Sequence, residues 1–145
     1  MLKNRIVNGQ KASDATYVAH ANLVRGMAVV KATAGVTAFA GATTDEGIFL
    51  VDRENLPKGI ECAYTDRPDV AFDNIAEGDK VILRPYVIGE SFYTNQYAEG
   101  ADVDGTALGA GTDGKWAKFE GGTKYVSRGT ENVAGAKMLV VEVIA

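Results

Sequence analysis

Short apolar runs alternate with glycine-rich or polar punctuation along this chain, and no segment carries a sustained apolar stripe at helical spacing beside a cap. Residues 27–31 (Met-Ala-Val-Val-Lys) and 36–39 (Val-Thr-Ala-Phe) are β-type runs split by Ala34-Gly35, the pattern of a tight hairpin. An apolar run comes next at 47–51, then a polar turn at 52–59, a strand at 60–64 and a break at 65–69. In residues 75–86 a Glu-Gly-Asp turn feeds a strand that places Val81, Leu83 and Pro85 on one face and Ile82, Arg84 and Tyr86 on the other. Pro85 cannot donate to a ladder, so this strand is expected at an edge or a bulge. Further strands are expected at 91–94, 115–119, 125–128 and 137–144. Residues 100–114 read as a glycine-rich connection, and helix is limited to one or two turns near 70–76. The spacing of these runs predicts an all-β fold, a small β-barrel or β-sandwich with little helix.

Residues 1–21 break this pattern. Isolated apolar anchors, Leu2, Ile6-Val7 and Tyr17-Val18, punctuate small polar residues. The segment reads as an extended N-terminal arm that orders on a partner or frays, leaving residues 22–145 as one β-rich domain. A chain of 145 residues is long enough to bury a core without disulfides or metal.

Composition supports strands and tight turns: 46% hydrophobic residues and 17 glycines. The net charge of −4, with no extended Lys/Arg cluster, lacks the basic footprint that neutralises phosphates, so nucleic acid is not an expected partner. No apolar run reaches membrane-spanning length, and no apolar stretch comes after Met1-Leu2-Lys3-Asn4-Arg5, so neither a membrane span nor a signal peptide is expected. Cys62 is the single cysteine, which excludes an internal disulfide and reads as a small buried apolar residue of the 60–64 strand.

Motifs that could carry chemistry fall short. Gly109-Ala110-Gly111-Thr112-Asp113-Gly114-Lys115 matches G-x-G-x-x-G and nearly a P-loop, but Trp116 stands where a magnesium-binding Ser or Thr belongs. Residues 115–119 alternate like a strand, so Asp113-Gly114 reads as a hairpin turn. Asp102-Val103-Asp104-Gly105 resembles the start of a calcium loop without its later oxygen donors. The carboxylates Asp45, Glu46, Asp66, Asp69, Asp73, Glu77, Asp79 and Glu99 sit in turn-like segments, where solvation is the default role. His20 is the single histidine, far in sequence from Ser91 and Ser127 and from Cys62, and no G-x-S-x-G elbow occurs. Phe92, Tyr93, Tyr97, Trp116 and Phe119 could form a sugar or base platform, although such residues more often fill a β core. No catalytic residue, metal or cofactor is assigned.

Four stretches carry a family resemblance: residues 23–30, Asp45-Glu46-Gly47-Ile48-Phe49-Leu50-Val51, Ile75-Ala76-Glu77-Gly78-Asp79-Lys80-Val81, and residues 136–144. In their order, and in the glycine- and alanine-rich, cysteine-poor character around them, the chain resembles the head-decoration, or capsid cement, proteins of tailed bacteriophages over about two-thirds of its length. The resemblance implies a non-enzymatic virion protein on the capsid exterior, made in the host cytoplasm. Its partner would be the major capsid protein, whose subunit joints it reinforces, with self-association as a trimer left open. The long N-terminal segment and the 100–114 stretch depart from the family. On this reading the arm lies across a neighbouring subunit, with Leu2, Ile6, Val7 and Tyr17 as capsid contacts, and deleting residues 1–18 should weaken capsid binding without unfolding the domain. A tail-tube or baseplate component, a small ligand-binding β-barrel and a hydrolase using turn carboxylates are the competing classes.

Overall fold

A computed structural model describes residues 1–6, 13–53 and 73–145. Its regular structure is nearly all β, in antiparallel sheets. In chain order the strands are β1 (Leu2–Ile6), β2 (Asp14–Val18), β3 (Leu23–Val24), β4 (Ala28–Lys31), β5 (Thr37–Ala38), β6 (Phe49–Asp52), β7 (Asn74–Ile75), β8 (Lys80–Arg84), β9 (Ser91–Thr94), β10 (Ala107–Ala110), β11 (Trp116–Lys118), β12 (Tyr125–Val133) and β13 (Ala136–Val143). The expected 60–64 strand, with Cys62, lies outside the described residues, as do Val7, Asp66 and Asp69. Of the helical turn expected near 70–76, residues 70–72 also lie outside, Asp73 is helical, and Asn74 and Ile75 form β7.

Three sheets form. The first has six strands in the order β1-β9-β13-β12-β10-β11, the second five in the order β2-β8-β6-β4-β5, and β3 pairs with β7. The five-stranded sheet curls until its outermost strands meet at one point. There the Val18 N–H donates to the Gly35 carbonyl at 2.7 Å, and Val18 bridges Val36.

The two larger sheets share a wall. On β4 and β6 every apolar side chain but Phe49 and Val30 is sealed from solvent, and neighbours along each strand point to opposite sides. Ala28 and Leu50 join a core with Leu2, Phe92, Leu108, Trp116, Leu139 and Val141 from the six-stranded sheet. Val29 and Val51 join a second core with Ala19, Leu23, Ile75, Val81 and Leu83 inside the curled sheet. Burial on both faces explains why β6 reads as an unbroken apolar run rather than an alternation.

A buried charge cluster joins β6, β8 and the segment between β3 and β4. Asp52, at the end of β6, is 2% exposed; its carboxylate lies 2.5 Å from Arg25 Nε, bonds Arg84 Nε, and accepts the Arg53 N–H at 2.8 Å. Nearby, the Met1 ammonium meets the Asp73 carboxylate at 2.9 Å and donates to the Arg25 carbonyl at 2.8 Å.

The structure departs from the sequence expectations at three places. Residues 1–21 hold two sheet members: β1 pairs with β9 and β2 with β8. Leu2, opposite Thr94, points into the first core and is 3% exposed, so it is occupied inside the molecule and does not serve as a capsid contact. Residues 1–18 therefore cannot be deleted without stripping a strand from each large sheet. Strand β8 is interior, between β2 and β6, and it meets the constraint of Pro85 by ending at Arg84. The glycine-rich connection at 100–114 contains β10, whose Gly109 lets the chain pass close to Thr44: a Cβ there would stand 2.6 Å from the Thr44 carbonyl oxygen.

Candidate interaction site

Strand β9 is preceded by a tight turn, Val87-Ile88-Gly89-Glu90. The Glu90 N–H returns to the Val87 carbonyl at 3.0 Å, and Gly89 takes a positive φ of 88° at the third position, the type II arrangement that favours glycine there. The turn is bolted to the end of β13, where Gly89 N–H donates to the Val143 carbonyl and Val143 N–H to the Glu90 carbonyl, at 2.8 and 2.9 Å. The Glu90 carboxylate, 2% exposed, folds back to accept the Val87 N–H at 2.8 Å. This geometry pushes Ile88 into solvent at 64% exposure. Ile144, just past β13, is 47% exposed and anchored by its N–H to the Lys124 carbonyl at 2.8 Å.

Beside Ile88 runs an open groove of about 530 Å3. Ile48 and Phe49 line one part of it, Pro85, Tyr86 and Val87 another, and Tyr125 and Val143 a third. Its framework is stiff. Asp45, 8% exposed, accepts the N–H groups of Thr123 and Lys124 at 2.7 and 3.2 Å, which pins the 45–49 segment to the approach to β12. Tyr86 and Tyr125 are linked through the first core by a row of rings, Tyr86–Phe92–Trp116–Tyr125, with centroids 4.6, 5.5 and 5.0 Å apart. The Tyr86 hydroxyl donates to Asn4 Oδ1 at 2.7 Å. Burial disfavours both phenolates: it raises the Tyr86 hydroxyl well above its ordinary value and pushes Tyr125 up to about 12. Both rings are therefore neutral near pH 7 and offer apolar faces with a polar tip.

The residues expected to touch a capsid do not gather here. Leu2 is in the core. Ile6 has its backbone in β1 opposite Ser91. Tyr17 is half-buried against the second core, with the Lys31 ammonium 4.8 Å from its ring centroid. The outer edge of β1 is a poor template for an added strand, because it carries exposed Lys3 and Arg5 and a register shift between Asn4 and Ile6. What sequence reading missed is the Ile88–Ile144 pair. The Gly-Glu after Ile88 signalled a turn, but only the pairing of β9 with β13 brings position 88 beside position 144.

The other motifs take structural roles. Gly109 to Lys115 is a hairpin joining β10 to β11: Gly111 N–H donates to the Lys115 carbonyl at 2.8 Å, Asp113 Oδ1 accepts the Lys115 N–H at 3.1 Å, and Gly114 has φ 80°. Strand, turn and strand supply no helix N-terminus for phosphate. Asp102 reaches the Lys137 ammonium at 3.7 Å, and Gly105 N–H donates to the Ser127 carbonyl. Phe92 and Trp116 are core residues, Tyr97 packs against that core, and Tyr93 donates to Glu131 at 2.8 Å on the outer face. Among the described residues no three of His, Cys, Asp and Glu are placed to hold a metal ion, and no helix is long and apolar enough to cross a membrane.

No protein family, characterised protein or solved structure matches the chain.

Proposed function

We propose that this chain is a structural virion protein that binds the outside of an assembled phage capsid and stabilises contacts between major capsid protein subunits. The observation that carries the reading is the projection of Ile88 at the rim of an open groove, with Ile144 exposed at the end of the neighbouring strand. Exposed apolar side chains held on a rigid turn, next to a concave surface with neutral tyrosines, suit protein docking, since little conformational entropy is lost on contact. The resemblance of four sequence stretches to capsid cement proteins names the partner. A protein that binds the assembled lattice better than free subunits stabilises the shell by that difference, and the contributions of bound copies add across the lattice.

The test is co-sedimentation of the purified protein with capsids lacking it. Wild type should pellet with the shells, and a double variant, Ile88→Asp with Ile144→Asp, should remain in the supernatant while keeping its unfolding midpoint. Failure of the wild type to bind would reject the capsid role, and unchanged binding by the folded double variant would reject this surface. The competing reading is a small-ligand site in this groove. Native mass spectrometry of freshly purified protein showing a bound molecule, lost with a groove substitution, would favour that second reading.

A further inference from the structure

His20 sits where the five-stranded sheet closes, and its two ring nitrogens hold the seam. Nε2 faces the Phe39 N–H at 3.2 Å, and a backbone N–H can only donate, so Nε2 must be an unprotonated acceptor. Nδ1 then carries the proton and lies 3.0 Å from Thr37 Oγ1, which sits 3.5 Å from the Val18 carbonyl. The ring also stacks edge-on against Phe39, with centroids 4.5 Å apart. These contacts run from the end of β2 to β5, beside the Val18–Gly35 hydrogen bond that joins the sheet's outermost strands. Thr37 is fully buried, and its hydroxyl also meets the His20 N–H at 3.4 Å.

We propose that His20 is a proton-operated clasp on this seam: the neutral ring closes β2 onto β5, and protonation of Nε2 releases the Phe39 amide and opens the junction. A protonated Nε2 becomes a donor aimed at another donor, so the bond is lost and replaced by repulsion. Among the described residues the charged groups around the ring are few. Glu77, in the turn before β8, favours the protonated form, and Asp79 shares that turn, whose carbonyl accepts the Ala19 N–H. From β4, Lys31 lies opposite Thr37 in register, but its ammonium is committed to Asp14 at 2.7 Å. β5 contributes only Thr37 and Ala38. Burial outweighs Glu77 and lowers the ring below its ordinary value, in keeping with the acceptor role that the geometry requires.

Because His20 is the single histidine, its titration can be read without assignment ambiguity. The full chain, labelled with 15N, would be followed by NMR between pH 7.5 and 4.5. The imidazole 15N shifts should show the Nδ1–H tautomer at neutral pH. As pH falls from the ordinary imidazole range to the ring's lowered titration point, exchange protection of the Phe39 and Val18 amides, corrected for intrinsic rates, should fall by up to about tenfold per pH unit and then level off, while protection in β13 stays constant. In His20→Asn the Phe39 and Val18 amides should lose this pH dependence. An Nε2–H tautomer, a ring that stays neutral throughout, or seam protection unchanged once the ring is protonated would each overturn the proposal. If His20→Asn fails to fold, the tautomer and wild-type exchange data decide it alone.

Discussion

Replacing Asp52 by asparagine should cost this protein about 3 kcal/mol of folding stability. The carboxylate is 2% exposed and faces two guanidinium groups, Arg25 at 2.5 Å and Arg84. Removing one partner of a buried ion pair typically costs about 3–5 kcal/mol, because charge is left uncompensated in a poorly solvated place. Here the abandoned charges are not fully trapped: the Arg25 and Arg84 side chains are 19% and 31% exposed, so water can reach them and the lower end of that range applies. Asparagine also keeps an oxygen for the Arg53 N–H, whereas Asp52→Ala loses that bond too and should cost about 1 kcal/mol more. Urea unfolding followed by tryptophan fluorescence suits the measurement, since Trp116 is the single tryptophan and is fully buried. The midpoint should drop with the slope unchanged. In a thermal scan the same loss is about 6–12 °C. A variant within about 0.5 kcal/mol of wild type would refute the claim that this cluster holds β6, β8 and the β3–β4 segment together.

Four further outcomes are expected. Gly109→Ala should destabilise by about 2–3 kcal/mol in the same assay, because the new Cβ would stand 2.6 Å from the Thr44 backbone oxygen. Ala134→Gly should stabilise by about 0.5–1 kcal/mol: Ala134 and Gly135 form the two-residue turn between β12 and β13 with φ of 51° and 81°, and alanine is strained in that left-handed region. A spectrophotometric titration should find Tyr125 ionising near 12; its raised value means a stability contribution fully present below pH 10 and lost as pH rises towards 12, visible as a falling urea midpoint. Ile88→Asp alone should weaken capsid association about tenfold per copy with no change in thermal midpoint, the loss expected for one partly buried isoleucine.

The sequence determined the class of the fold. Short apolar runs, period-two alternation and glycine punctuation located β4, β6, β8, β9 and β13 closely, since each needs only its own residues to declare apolar character. It was also enough to read Asp113-Gly114 as a hairpin turn and to place Phe92 and Trp116 among core candidates, because turn chemistry and aromatic bulk are local properties. It failed where a strand owes its existence to a distant partner. β1 and β10 carry Lys, Asn, Arg and Gly that look like arm or loop; β1 is held by pairing with β9, far along the sequence, and β10 by pairing with β11 and β12. The candidate interaction surface belongs to the same category. Ile88 and Ile144 become neighbours only because antiparallel pairing of β9 with β13 sets the turn before one against the end of the other. The His20 clasp likewise needs a curled sheet to bring β2 to β5. Local patterning fixes which side of a strand is apolar, but which strands meet is decided by long-range packing that no single stretch of residues encodes.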